Sequence, residues 1–366
     1  MSKSYTPGLK ILENTKIVKE RKLPLKGDIK CSLGDNVKSK DIVASTFLPG
    51  NIHMVNIANQ LNVDPSTIED FLMVEINQSV NIGDVLAENN GLFGFFKTQI
   101  NSKLEGRISN ISKATGQIMI SEPDLPIEIN AYIDGKIINV LDNEGVLIES
   151  YGTLVQGIIG VGGEKMGKIV FADNLNKEDD LHNKIVVIKE SIDKEIYDQY
   201  STKGAIGIVS GGFHYDSLSD ILGYKLGVAI TGTEDIKTTL IVTEGFGEVS
   251  MSDKTYNILK KHQGEFASIN GATQIRAGVI RPELVVSSKS HSDTCKDFDE
   301  NDLIIKEGSK VRVIRQPYFG SIGTIKQLPK DPVMIESETK ARVAEIEFND
   351  GERKLVPRAN LEIILE

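Results

Sequence analysis

The stretch 304–366 constrains the fold most. Val311, Val313 and Ile325 are strand formers, and Val311 and Val313 alternate with Arg312 and Ile314 at period two. Farther on, Asn349-Asp350-Gly351 separates Ile346–Phe348 from Leu355-Val356. Asp-Gly between apolar runs signals a hairpin, because glycine adopts the positive φ that tight hairpin turns need. Gly320 and Gly323 punctuate the intervening strand–turn–strand unit and mark a bulge or a close backbone approach. The stretch is expected to form a small barrel. One rim would carry Arg312, Arg315, Tyr318, Phe319, Lys326 and Lys330. Cations interleaved with rings suit a phosphate backbone and base stacking. In the plainer alternative Tyr318 and Phe319 are packing residues and the cations are solvated.

The pattern Gly308-x-x-Val311-x-Val313-Ile314, then Pro317-Tyr318-x-Gly320-x-x-Gly323-x-Ile325, resembles the KOW motif of NusG-type transcription factors and several ribosomal proteins. The resemblance implies an SH3-like barrel and a binding module. It implies no reaction.

Two half-motifs echo each other in the N-terminal part. Leu33-Gly34-Asp35-Asn36-Val37 leads to Ile42-Val43-Ala44, and Ile82-Gly83-Asp84-Val85 leads to Leu86-Ala87. In each, glycine is expected to supply an unusual φ and aspartate to bond the nearby backbone. A second echo pairs Leu104-Glu105-Gly106-Arg107-Ile108 with Ile133-Asp134-Gly135-Lys136-Ile137. The region resembles the barrel-sandwich hybrid domains of RnfC-like proteins, large RNA polymerase subunits, and lipoyl and biotinyl carriers. Carrier function does not follow, because neither Lys103 nor Lys136 lies in a carrier setting. Met54 to Leu61 has helical apolar spacing, and Asp64-Pro65 is a helix start with proline at the first position. A helical insertion is therefore expected at about 53–72.

The glycine-rich run Gly157 to Gly167 fits neither a P-loop nor a dinucleotide-binding fingerprint, and a connector over 151–181 is expected. From 182 to 290 strands alternate with helices, beginning with the apolar run Lys184–Ile188, which predicts a compact α/β layer domain. A charged linker follows at 291–303. The fold class expected is thus multidomain, β-rich α+β. It comprises a barrel-sandwich hybrid region (1–150), a connector, an α/β domain and a KOW-like barrel (304–366).

Ligands of open α/β sheets bind at the carboxyl ends of the strands. Ser210-Gly-Gly-Phe-His214-Tyr-Asp216, Thr231-Gly-Thr-Glu234 and Thr243-Glu244-Gly245-Phe246-Gly247-Glu248 are expected to be loops at such ends. His214, Asp216, Thr231, Thr243 and Glu244 are the candidate pocket residues. His214 with Asp216 or Glu244 would be an acid–base pair. Arg276 and Arg281 would meet a phosphate or carboxylate, or pair with acidic surface residues.

The formal net charge of -10 argues against broad nonspecific nucleic-acid binding by the whole chain. The two cysteines, Cys31 and Cys295, lack metal-ligand spacing, so no metal or cofactor is expected. Two thiols and the absence of an apolar leader or spanning stretch suggest a cytoplasmic protein. No sequence signature of a catalyst is present. The expected function is a non-enzymatic assembly factor that docks a protein complex, with RNA contact through the barrel as an option. The alternative is an enzyme or enzyme-maturation protein with a small-ligand pocket in the α/β domain.

Overall fold

The computed structural model describes residues 9–89, 97–176, 178–223, 234, 236–273, 280–288, 304–313, 315, 317–318, 321–334, 340–348 and 351–363. The molecule is strand-rich, with several sheets and few helices. Among the described residues no helix is long and apolar enough to cross a membrane.

An 11-stranded mixed sheet dominates. Its parallel part places Lys165–Phe171, Lys184–Ile188, Gly207–Phe213 and Thr239–Phe246 side by side. Its antiparallel part is built on the long strand Gly145–Gln156, which pairs with Ile11–Lys22, Gly135–Leu141 and Glu283–Ser287. Phe266–Asn270 joins the two parts. The strand Gly145–Gln156 runs through the boundary drawn at 150. The expected connector supplies two strands of this sheet, Ile159–Val161 and Lys165–Phe171.

The continuous apolar runs have a simple cause. Side chains alternate across a strand, so a sheet covered on both faces needs apolar residues at every position. Ile185 and Val187 enter one core with Ile169, Phe171, Ile241 and the helix Asp253–Lys261. Val186 and Ile188 enter the other core with Phe213, Leu240, Val242 and Tyr197 of the helix Lys194–Thr202. Side-chain caps start both helices: Asp193 accepts from the Ile196 amide, and Ser252 accepts from the Thr255 amide.

Two expected loops are strand instead. Ser210-Gly211-Gly212 continues the strand Gly207–Phe213, and Thr243-Glu244-Gly245 continues Thr239–Phe246. The glycines there answer a close backbone approach. A Cβ on Gly211 would lie 2.2 Å from the Met251 nitrogen, and one on Gly212 would lie 2.3 Å from the Gly247 oxygen. The apolar run Leu226 to Ile230, which also reads as a strand in the sequence, lies outside the described residues.

Both Gly-Asp turns form alike. Gly34 has φ +92° and Gly83 has φ +97°. Asp35 accepts from the Ser32 amide at 2.8 Å, and Asp84 accepts from the Asn81 amide at 2.7 Å. The second copy belongs to a nested unit between the paired strands Ile42–Leu48 and Leu125–Asn130. That unit has a four-stranded sheet, a two-stranded sheet, and a core drawn only from residues between Val55 and Ile120. Its helix begins later than the spacing predicts. Ile52–Asn56 is a strand, and only Ile57–Leu61 is helical. The Asp64-Pro65 start opens a 3-10 helix, Pro65–Phe71.

The C-terminal unit is a five-stranded antiparallel sheet. It comprises Lys310–Val313, Ile322–Gln327, Val343–Phe348, Arg353–Pro357 and Leu361–Ile363, the last pairing back onto the first. Val311, Val313, Ile325, Ile346 and Val356 fill its own core.

Candidate functional site

In the C-terminal sheet, Arg312 stands opposite Glu362 across the ladder. Each lies between inward-facing apolar neighbours, so alternation puts both on the outer face. That face is covered by the large sheet. Arg312 is 5% exposed, and so is Glu362. The Arg312 guanidinium binds Glu362 Oε2 through Nε at 3.0 Å and Nη2 at 2.6 Å. Its Nη1 lies 2.8 Å from Glu244 Oε2, an ion-pair contact out of line for a hydrogen bond. Glu244 belongs to Thr239–Phe246, and its other oxygen accepts from the Ser252 amide at 2.9 Å. Glu362 Oε1 accepts from the Leu9 amide at 2.9 Å. One guanidinium thus ties the C-terminal sheet to the large sheet, and a carboxylate ties it to Leu9, just ahead of the strand Ile11–Lys22.

The charges in this clasp are costly to bury and hold one another. Burial pushes the Arg312 pKa down, but Glu362 and Glu244 push it up and prevail. Burial raises the Glu362 pKa, and Arg312 only partly offsets this. The folded chain therefore holds the Glu362 proton more tightly than the unfolded chain does. The cost of ionised Glu362 is full above its folded pKa and vanishes as pH falls below its ordinary value. Glu362→Gln keeps the acceptor for Leu9 and removes that cost. We expect this variant to retain the fold and to show a flatter pH dependence of its urea midpoint between pH 4 and 8. An unchanged slope would contradict the assignment.

A cleft of about 460 Å³ opens beside the clasp. It lies where Lys184–Ile188 ends, against the start of the helix Asp253–Lys261, with Leu9, Ile322 and Ile363 on the opposite wall. Lys189 is held by Asp253 at 2.8 Å and lies over the Tyr256 ring. The Tyr256 hydroxyl donates to Asp173 at 2.7 Å, and burial together with Asp173 pushes its pKa up to about 12.

The expected pocket residues are dispersed. Glu244 lines the cleft. Thr243 is buried inside its strand and donates to the Ser210 carbonyl at 3.2 Å. His214 is exposed at the N-cap position of the helix Tyr215–Leu222, which contains Asp216. Arg281 donates to the Ile158 carbonyl at 3.0 Å, and burial lowers its pKa. Thr231 and Arg276 lie outside the described residues. In the glycine-rich run, the Gly160 amide is taken by Thr273 and the Gly157 amide by the Pro282 carbonyl, so neither is open to a phosphate.

The expected basic rim is thinned. Arg312 is internal. Lys326 pairs with Glu347 at 2.8 Å, and Glu347 also takes Arg353. Tyr318 leans on Phe348 with ring centroids 5.5 Å apart. Arg315 and Lys330 are exposed, and Phe319 lies outside the described residues. Sequence reasoning missed Glu362. The only signal was a charge between Leu361 and Ile363, which reads equally well as a solvated outer face. No group of side chains suited to a metal ion occurs among the described residues. Neither a protein-family model nor a curated protein sequence matches the chain.

Proposed function

We propose that the chain is a binding and assembly protein that docks a macromolecular complex through its C-terminal KOW-like module, and that the docked surface is protein. The observation that carries this is the fate of the basic rim. Arg312 is bound to two carboxylates and Lys326 to a third, which takes two of the four rim cations away from a phosphate backbone. Arg353–Pro357 is one of the two outer strands of the five-stranded sheet, and Leu355 on it is half exposed. An outer strand of this kind takes a partner's extended segment by backbone pairing. Titration of the full chain with mixed-sequence single-stranded RNA at two salt concentrations tests the choice of partner. We expect no saturable binding at low salt. Tight binding that weakens steeply with salt would assign RNA instead.

A second reading rests on the cleft. A 460 Å³ space at the carboxyl end of a parallel strand, walled by two units, suits a small ligand. Native mass spectrometry of protein purified from its own host would show that ligand as a mass lost on denaturation.

A further inference from the structure

A second cleft, of about 630 Å³, opens on the antiparallel part of the large sheet and is lined by Asn14, Thr153, His262 and Glu265. Thr153 Oγ1 lies 2.8 Å from His262 Nε2, and His262 Nδ1 lies 2.9 Å from Glu265 Oε2. An ionised carboxylate can only accept, so in the neutral imidazole this contact sets the proton on Nδ1 and turns the Nε2 lone pair to the Thr153 hydroxyl. A hydroxyl, a base within hydrogen-bond reach and a third group orienting the base make up the arrangement that activates a nucleophile.

The local backbone is built around this point. His262 closes the helix Asp253–Lys261, and the Glu265 amide donates to the His262 carbonyl, which fixes their spacing. Leu12 pairs with Leu154 and Thr15 with Gly152, so Glu13 and Asn14 together oppose Thr153. This is a β-bulge. Asn14 takes φ +47° in it and is among the residues that line the cleft. Bulges re-aim side chains and recur beside active sites. An asparagine amide is a known type of donor to a carbonyl oxygen that gains charge.

We propose that this cleft hydrolyses short acyl esters. Thr153 is the nucleophile, His262 the general base, Glu265 the positioning residue, and the Asn14 amide the donor to the oxyanion. Thr153 Oγ attacks the ester carbonyl carbon while its proton passes to His262 Nε2. The bond to the leaving oxygen breaks, and His262 returns the proton to the departing alcohol. Water then attacks the acyl-threonine, giving its proton to the same nitrogen. The carboxylic acid leaves, and Thr153 regains its proton. Thr153 is 2% exposed, so the probe chosen carries a small acyl group, acetyl. This activity stands apart from the partner-docking role and needs neither the C-terminal unit nor the first cleft.

The test uses the full chain and p-nitrophenyl acetate. We expect catalysed release of p-nitrophenol, with an acetyl group mapped to Thr153 by mass spectrometry after rapid quenching. Thr153→Ala should abolish both, and Thr153→Ser should keep them. His262→Ala should lower turnover by about 10²–10⁴-fold, and Asn14→Ala by about 10²–10³-fold. Glu265→Gln should lower kcat without raising KM, and Glu265→Asp should restore part of it. Matching thermal midpoints for Thr153→Ser and Glu265→Gln would show that folding is not the cause. Turnover no greater than that of Thr153→Ala, or acetyl found only on other residues, would overturn the proposal. The Thr153–His262 contact would then merely tie the helix end to the sheet.

Discussion

Arg312→Met should destabilise the docked C-terminal unit by about 3–5 kcal/mol, because it leaves two buried carboxylates without their cation. Glu244 and Glu362 are both almost wholly buried, so neither carboxylate is well hydrated once the guanidinium is gone. Urea unfolding followed by tyrosine fluorescence should change from one transition to two, the earlier one being release of the C-terminal sheet. Arg315→Met is the control. Arg315 is exposed, and its replacement should leave the curve unchanged within about 0.5 kcal/mol. Equal curves for the two variants would show that Arg312 is not a clasp.

Phe213→Ala should cost about 3–5 kcal/mol, the usual range for a large aromatic removed from a core. Phe213 is 0% exposed and belongs to the core under the helix Lys194–Thr202. Its register partner Phe246 is 42% exposed, and Phe246→Ala should cost far less. The contrast tests the continuation of the strand through Gly211 and Gly212. If those residues formed a surface loop, both substitutions would be mild. Urea midpoints of the two variants settle it.

The parts of the fold that were legible in the sequence are those fixed by local chemistry. Lys184–Ile188 reads as a strand buried on both faces, and it lies between two cores. The Gly34-Asp35 and Gly83-Asp84 turns form the backbone bonds that their chemistry predicts. Asp64-Pro65 opens a helical turn capped by Asp64. What failed depended on distant chain. Gly211-Gly212 reads as a loop because nothing local shows that the backbone near Val249 to Met251 will press against it. Met54 and Val55 have helical spacing, yet they pair with Met119 and Ile118 in a sheet. Arg312 alternates with apolar residues as a solvated cation would. The large sheet, with Glu244 far away in sequence, makes the position internal. The Thr153–His262 contact likewise joins residues 109 apart and leaves no local trace.

The proposed role stands on the identity of the docked surface. Affinity purification of the tagged full chain from its own host, with and without ribonuclease, tests that most directly when run beside Leu355→Glu. The account predicts a protein complex recovered at fixed stoichiometry, resistant to ribonuclease and lost from Leu355→Glu. Partners that vanish on ribonuclease treatment, or that bind Leu355→Glu equally well, would contradict it.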